Sequence, residues 1–277
     1  MARLMADMPY SVHEHLSFYR FVSLSDPEAV AARLREIGQG LGGNALVAAE
    51  GISAALGGPP ETLDAFQAAL EAEFDGVFSG IHFKRSFCKT RPYTLLKVHV
   101  KPELVAFGLP DVSGLEDKPG THVAPQDWPA LIAREDVVLL DNRNSFEWRL
   151  GHFKGAEDPG VRHFRDFPAL VQAHAEEWKR EGKKVAMYCT GGIRCEKIGG
   201  WMSKLGLDVY QLDGGILGYF EALGESPAWE GECFVFDKRI AIDARREETD
   251  TTAEAAYGDD PAEAWRLARA KRLDPQA

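Results

Sequence analysis

The sequence predicts an α/β chain with two domains: an α+β sandwich, then a domain built on a parallel sheet. The first domain is predicted from strands and helices that alternate in a βαββαβ-like order. The second is predicted from repeated strand–helix units, because such units form parallel sheets with right-handed crossovers. A chain of 277 residues is long enough for each domain to bury its own core.

In the first half, a loosely ordered leader (1–16) precedes elements that alternate between strand and helix. They are a strand at 18–24, a helix at 27–37 capped by Ser25 or Asp26, one or two strands from Asn44 broken at Gly51, a helix at 59–74, and two strands in GVFSGIHFKRSF and YTLLKVHV. Gly51 marks either a bulge, which we favour, or a close backbone approach. The order is that of a ferredoxin-like or acylphosphatase-like α+β domain over residues 17–110.

The two strands that end this domain are basic. Between residues 81 and 101 there is no acidic side chain, whereas the chain as a whole carries a net charge of −11. The basic residues are Lys84, Arg85, Lys89, Arg91, Lys97 and Lys101, interleaved with the aromatic Phe83, Phe87 and Tyr93. This pattern fits a surface that holds a phosphate backbone and stacks unpaired bases. It also fits edge strands whose charges deter pairing with other strands.

Beyond a linker at 111–122, the sequence predicts an α/β domain over 123–228. Its elements are a short helix at 125–133, a buried strand at 137–140, helices at 145–149 and 168–179, a strand at 183–188, a helix from Glu196, and a strand and helix in DVYQLDGGILGYF. Asp141 follows the first strand, at the edge where open α/β sheets bind ligands, and we expect it to hydrogen-bond loop backbone. Residues 229–277 are predicted to form a C-terminal extension, in which ECFVFDKRIAI is strand-like. Beyond Ala244 we expect a peripheral, partly disordered tail, acidic at first and helical from Pro261.

The chain's most distinctive stretch joins the strand at 183–188 to the following helix. It reads Cys189, Thr190, Gly191, Gly192, Ile193 and Arg194. A small-residue loop before a helix directs unpaired N–H groups and the helix dipole at an anion, and it lowers the pKa of a thiol placed there. We interpret Cys189 as an activated nucleophile, the two glycines as freeing the backbone, and Arg194 as a cationic fork for an oxyanion. The alternative is an inert buried cysteine.

Cys195, which follows Arg194, permits two interpretations. It could resolve an oxidised or persulfidated Cys189, or it could pack as a small apolar residue. We favour packing, because the helix turn is expected to point the two sulfurs apart.

The composition excludes some classes of protein. No apolar run reaches the roughly 20 residues of a membrane helix, and the N-terminus lacks the apolar core of a signal peptide. Four cysteines without paired spacing make a metal site unexpected, and free thiols fit the cytoplasm.

The motifs LLDNRNSFEWRLGHFKGA, YCTGGIRCEK and LDGGI resemble a rhodanese domain. Four residues separate Cys189 from Arg194, one fewer than in cysteine-dependent phosphatases, which disfavours a phosphatase. With AAEGISAALGG and the basic strands before it, the chain resembles the bacterial oxygen-dependent tRNA uridine(34) hydroxylases. That resemblance implies hydroxylation of the wobble uridine to 5-hydroxyuridine, with Cys189 as the catalytic cysteine and Arg194 as the loop arginine.

The same resemblance implies the reaction's partners. These are the anticodon loop of tRNA, O2 as co-substrate, an electron donor of unknown identity, and no established metal or flavin cofactor. Thiolate addition to uridine C6 and oxidation of the sulfur itself are two routes by which Cys189 could act. A thiosulfate sulfurtransferase or persulfide carrier is the alternative function, and a non-catalytic RNA-binding module is a third.

Overall fold

The computed structural model describes residues 13–115, 120–258 and 260–273, and the chain forms two compact units. Unit 1 runs to Leu104 and includes Asp237–Arg239, whereas unit 2 holds Val105–Phe236 and the chain from Ile240. The division at Leu104 precedes the predicted linker at 111–122. Within the described ranges, no helix is long and apolar enough to span a membrane.

Unit 1 contains a five-stranded sheet and two helices. Its elements are β1 (His13–Phe21), α1 (Pro27–Ile37), β2 (Gly42–Ala48), β3 (Gly51–Gly58), α2 (Pro60–Ala72), β4 (Lys84–Cys88) and β5 (Leu96–Val100). The strand order is β4-β1-β3-β2-β5; β2 and β5 are parallel and the other neighbours antiparallel. The predicted ferredoxin-like or acylphosphatase-like domain is therefore confirmed, with β5 added beside β2.

Local signals fix α1, whereas pairing fixes β1. Asp26 Oδ1 accepts a hydrogen bond from Ala29 N at 3.0 Å and Pro27 lies in the first turn, so the predicted helix is confirmed. β1 starts at His13, inside the predicted leader, because it pairs with β4 as far as Cys88. The rest of the predicted leader, residues 1–12, lies outside the described residues.

One face of this sheet packs on the helices. Leu16 and Phe18 alternate along β1 toward that face, and they meet Leu34 of α1 and Leu63 and Phe66 of α2. One core is thus formed by every second residue of the strand and by helix residues spaced three or four apart.

Gly51 marks a close backbone approach, so the favoured bulge is wrong. Its φ is +138°, and a Cβ there would lie 2.0 Å from Arg20 O on the neighbouring strand. The β1–β3 register runs through Gly51 opposite Phe21.

Within unit 1, a buried polar network binds the segment Asp237–Arg239 to the sheet. Asp237 Oδ2 lies 3.6 Å from His15 Nε2, whose other neighbour is Tyr93 OH at 3.4 Å. Arg239 donates to Asp237 at 2.7 and 2.8 Å and to Ser86 Oγ at 2.8 Å. Burial, aided by the charge of Arg239 and opposed by that of Asp237, lowers the pKa of His15 to about 4.

Unit 2 contains a parallel sheet between helices, two short antiparallel strand pairs and, after them, two helices. Its elements are β6 (Thr121–Val123), α3 (Trp128–Ile132), β7 (Val137–Asp141), α4 (Ser145–Leu150), β8 (Gly151–Phe153), α5 (Phe167–Arg180), β9 (Lys184–Tyr188), α6 (Ile193–Lys204), β10 (Asp208–Leu212), α7 (Gly215–Leu223), β11 (Trp229–Gly231), β12 (Cys233–Phe234), β13 (Ala241–Ile242), α8 (Ala253–Tyr257) and α9 (Ala264–Leu273). The parallel strands follow the order β6-β10-β9-β7. The predicted α/β domain with a parallel sheet is confirmed.

Strand β9 lies between two strands and separates two cores. Val185 and Met187 join the core that contains α5 and α6, while Ala186 and Tyr188 join the core that contains α3 and α7. Cys189, the next residue, falls on the α6 side. Alternation along the strand thus decides which helix the cysteine faces.

The prediction of a peripheral tail is wrong for residues 253–257. Ala253, Ala256 and Tyr257 are buried in one cluster with Phe146 and Phe234. Helix α8 is amphipathic, and its apolar side chains are buried within unit 2. The predicted terminal helix is present as α9, and residues 259 and 274–277 lie outside the described residues.

Candidate active site

The cysteine loop connects β9 to α6 and curls around the sulfur of Cys189. Gly192 has a φ of +99°, a left-handed conformation that favours glycine, and its N–H donates to Cys189 Sγ at 3.2 Å. Gly191 has no positive φ, and a Cβ there would meet nothing within 4 Å. The expectation that both glycines are needed for backbone freedom therefore holds for Gly192 alone.

The thiol of Cys189 is fully buried and yet acidic. Burial raises its pKa, but a hydrogen bond from Cys195, the charge of Arg194 and two backbone N–H groups outweigh burial and lower the pKa to about 6. The backbone donors belong to Arg194 and Cys195, in the first turn of α6. At neutral pH the sulfur is therefore mostly thiolate, the nucleophilic form.

Cys195 does not point away from Cys189. Burial, and then its hydrogen bond to Cys189, raise the pKa of the Cys195 thiol well above the usual value, so Cys195 is the donor. Asn142 Nδ2 approaches Cys195 Sγ at 3.3 Å and Met187 Sδ at 3.2 Å. The expected separation of the sulfurs is wrong, because the Cys195 thiol is hydrogen-bonded to Cys189.

Arg194 anchors the loop to α4. Its Nη1 and Nη2 donate to Glu147 Oε2 and Oε1 at 3.0 and 2.7 Å, and Nη1 also donates to Asn142 O at 3.3 Å. Glu147 is fully buried, and burial raises its pKa. The charge and hydrogen bonds of Arg194 oppose this effect, and the net result is a pKa below the usual value. Arg194 was predicted to offer a fork to an oxyanion, and the structure gives both terminal nitrogens to Glu147 instead.

Glu147 also holds its own helix and the loop. Its Oε2 accepts from Asn144 N at 3.0 Å, and Thr190 Oγ1 lies 3.5 Å from Oε1. Sequence reasoning missed Glu147 as a site residue. The available signal was the Asn-x-x-Glu pattern of a helix start, which predicts a cap and not a partner 47 residues away.

Asp141 supports the loop after β7 and not the cysteine loop directly. Its carboxylate accepts from Arg143 N at 3.0 Å and from the Arg143 guanidinium at 2.6–3.1 Å. Arg143 Nη2 donates to Gly151 O at 2.6 Å, and both charged side chains are fully buried. The expected contact of Asp141 with loop backbone is present, at Arg143.

The start of α7 closes the site from the other side. Ile216 N donates to Cys189 O and Leu217 N to Thr190 O, each at 3.0 Å. Gly215 has a φ of +65°, and a Cβ there would lie 2.5 Å from Cys189 O and 2.7 Å from Gly192 N. The glycine pair in LDGGI is therefore a packing requirement of the cysteine loop, which the sequence showed only as a turn.

The cysteine loop is partly exposed, although its sulfurs are buried. Thr190, Gly191 and Ile193 are half-buried, whereas Cys189 and Cys195 are fully buried. In the described ranges, no group of three His, Cys, Asp or Glu side chains is arranged around a metal position. The arrangement offers a nucleophilic thiolate with a second thiol in contact.

The basic residues of the first domain divide between two sheet edges, because β4 and β5 lie at opposite ends of the strand order. Lys84 on β4 is 8% exposed, with its Nζ 5.5 Å from the Tyr19 ring centre. Arg85 binds Asp64 at 2.7 Å and Glu14 at 3.2 Å. Burial and these ion pairs make Lys84 and Arg85 poor candidates for RNA contacts, contrary to the prediction.

The other predicted RNA contacts lie on the surface. Lys89, Arg91, Lys97 and Lys101 are exposed. Of the interleaved aromatic residues, Phe87 is 55% exposed, Tyr93 is buried and Phe83 packs against the core. The accessible basic residues thus follow the loop after β4 and strand β5.

Comparisons with known proteins agree with both domains. Residues 13–104 match the family model of the UPF0176 acylphosphatase-like domain, and residues 124–222 match the rhodanese-like domain. A tRNA uridine(34) hydroxylase of Synechococcus elongatus is 45% identical over 82% of this chain and 84% of its own. One of Mesorhizobium japonicum is 43% identical, over 82% and 73%. One of Legionella pneumophila is 39% identical, over 83% and 90%. This identity across both domains shows that the chain belongs to the family of tRNA uridine(34) hydroxylases.

Proposed function

We propose that this chain hydroxylates carbon 5 of uridine 34, the wobble base of tRNA, with O2 as co-substrate and 5-hydroxyuridine as product. The observation that carries the proposal is the acidic, hydrogen-bonded thiol of Cys189, with a pKa of about 6. The names of relatives that are 39% to 45% identical support uridine 34 as the target.

The thiolate supplies the activation that the base lacks. Addition of Cys189 Sγ to C6 of the pyrimidine raises electron density at C5, which then attacks O2. A wobble base is unpaired in the anticodon loop, so turning it toward the protein costs little unstacking energy. A 5-fluorouridine tRNA should trap the adduct, because fluorine at C5 cannot leave as a proton does. If no covalent complex forms, the oxygen chemistry begins on the sulfur instead.

The accessible basic residues are the proposed tRNA contacts, in the cytoplasm. Arg91, Lys97 and Lys101 are exposed, and a cationic edge of this kind binds phosphates without reading sequence. The four cysteines are free thiols, which fits a reducing compartment.

Nucleoside mass spectrometry tests the proposal. Aerobic cells that lack the protein should lose 5-hydroxyuridine-derived nucleosides, in a strain without any oxygen-independent route to the same product. The wild-type gene should restore them and Cys189→Ser should not, whereas Cys88→Ser, in unit 1, should behave as wild type. In vitro, ¹⁸O2 should label the product. Unlabelled or absent product with active, folded protein would refute oxygen-dependent hydroxylation.

A sulfurtransferase is the second candidate, because residues 124–222 match the rhodanese-like domain and include the acidic thiol. This function predicts cyanide-dependent thiocyanate formation from thiosulfate through a persulfide on Cys189. It needs no tRNA. Thiocyanate formation at rates above that of tRNA hydroxylation would favour it.

A further inference from the structure

The hydroxylation proposed above leaves an electron requirement unmet. Insertion of one oxygen atom from O2 into the C5–H bond takes two electrons from uridine, and the second oxygen atom needs two more to become water. The reductant that supplies them has to reach the reacting oxygen. The structure holds two thiols at that place.

Cys189 and Cys195 are two neighbouring thiols with opposite pKa shifts: the pKa of Cys189 is lowered and that of Cys195 is raised. They hydrogen-bond to each other, and both are fully buried free thiols. Asn142 fixes the orientation of Cys195, because its amide nitrogen lies 3.3 Å from that sulfur. The other two cysteines lie elsewhere, Cys88 on β4 of unit 1 and Cys233 on β12.

We propose that Cys189 and Cys195 together form the dithiol that donates two electrons to O2 during hydroxylation. The inference rests on the proposed function. The net reaction converts uridine C5–H, O2 and two S–H groups into C5–OH, water and one disulfide. The O–O, C5–H and two S–H bonds break, and C5–O, O–H and S–S bonds form. The bond between Cys189 Sγ and C6 breaks before the disulfide forms, and the two thiol hydrogens leave in the water. A soluble dithiol then reduces the disulfide by thiol exchange.

The surroundings allow this bond to form. The two thiols are hydrogen-bonded and lie in one core cluster, and a disulfide needs the sulfurs to close to about 2.05 Å. The loop between them is open on one side at Gly191, where a Cβ would meet nothing within 4 Å. The thiolate of Cys189 and the protonated Cys195 supply one nucleophilic sulfur and one proton donor to the same reaction.

A single-turnover experiment on the full chain tests the proposal. The protein is reduced, freed of reductant under nitrogen, and mixed with unmodified tRNA in oxygenated buffer. The expected result is about one 5-hydroxyuridine per chain, with loss of two titratable thiols. Trypsin cleaves after Arg194, so the disulfide should appear as peptide 185–194 linked to peptide 195–197. Without tRNA, the disulfide should form far more slowly.

Variants separate the electron-donating role from a structural one. Cys195→Ser keeps a hydrogen-bond donor but cannot form a disulfide; without reductant its product yield should fall by about tenfold or more. Excess small thiol should restore part of that yield, through a mixed disulfide on Cys189. Cys88→Ala is the matched control and should still give one product and one linked peptide pair.

Three outcomes decide the matter. Stoichiometric product with the 189–195 disulfide supports the proposal, and the wild-type arms give this result even if Cys195→Ser fails to fold. Repeated turnovers without reductant, or product with all thiols still titratable, would overturn the electron-donor role and leave the hydroxylase intact. No hydroxylated uridine in any arm, with reductant and O2 both supplied, would instead refute the proposed function and the dithiol inference with it.

Discussion

The packing of helix α7 against the cysteine loop can be tested with a glycine in that helix and a second glycine that faces open space. Gly215 and Gly182 share a φ of +65°. Gly182 follows helix α5, where the hydrogen bond from Lys183 N to Trp178 O at 2.8 Å is typical of a left-handed helix end. A Cβ at Gly182 meets nothing within 4 Å, whereas one at Gly215 meets three backbone atoms of the loop at 2.5–2.8 Å. Alanine at the two positions therefore shares the conformational strain and differs in the clash.

The magnitudes follow from these contacts. Left-handed strain costs about 1 kcal/mol at either position, and that is the whole effect expected for Gly182→Ala. Gly215→Ala adds overpacking of about 1–3 kcal/mol against backbone that cannot rotate away. It also weakens the hydrogen bonds from Ile216 N and Leu217 N to the loop, each worth about 1 kcal/mol. With each of these two bonds weakened by about half, the expected difference in the free energy of unfolding is about 2–4 kcal/mol.

Urea unfolding followed by tryptophan fluorescence measures this difference in unit 2 alone. All six tryptophans lie at position 128 or later, and none falls in Asp237–Arg239, so unit 1 contributes no signal. Gly215→Ala should also lose the rapid alkylation of Cys189 at pH 7, and Gly182→Ala should keep it. Equal unfolding midpoints for the two variants, at equal slopes, would refute the claim that α7 braces the cysteine loop.

Three further predictions concern the thiol, the basic edge and the buried histidine. The rate of Cys189 alkylation should rise with pH, with a midpoint near pH 6. Cys195→Ala should move that midpoint upward, and Cys195→Ser should move it less. A midpoint that is higher by one pH unit leaves about tenfold less thiolate at any pH below both midpoints. An unchanged midpoint would contradict the hydrogen bond. Lys97→Glu should weaken tRNA binding and flatten its salt dependence. Lys154→Glu, which changes an exposed lysine of unit 2, should weaken tRNA binding less. Equal effects of the two variants in binding titrations would place the RNA contact elsewhere. The pKa of His15 is about 4 when folded and about 6.5 when unfolded, so the unfolded chain binds more protons between these values and unit 1 should lose about 3 kcal/mol as the pH falls from 6.5 to 4. Amide exchange of β1 and β3 peptides, corrected for intrinsic rates, should show this loss in wild type and not in His15→Gln.

Helices and strands whose ends are marked in the local sequence could be predicted, whereas those whose ends depend on pairing with a distant strand could not. Helix α1 has a cap at Asp26 and a proline in its first turn, and its predicted bounds are confirmed. The start of β1 depends on β4, more than 60 residues later, as the pairing of His13 with Cys88 shows. The basic stretch 81–101 is continuous in sequence, but the strand order carries its two strands to opposite edges. Strand order is a long-range property that no local pattern contains.

The candidate site divides in the same way. The loop from Cys189 to Arg194 is one motif and was predictable. The groups that set its properties, Glu147, Asn142 and Gly215, come from three other loops or helix starts. Their roles depend on how β7, β9 and β10 are ordered in the sheet, so they became visible only in the fold.

The hydrogen-bond donors of the cysteine loop already have partners within the protein, and this restricts the kind of substrate that can bind at the sulfur. Gly192 N–H and the N–H groups of Arg194 and Cys195 all point to Cys189 Sγ, and both terminal nitrogens of Arg194 bind Glu147. A phosphatase loop directs such donors at the substrate's anion, but here the protein's own thiolate occupies that position. Thiosulfate, a dianion, would have to compete with the thiolate for the same donors. A neutral pyrimidine ring needs none of them, and this favours uridine over an anionic substrate.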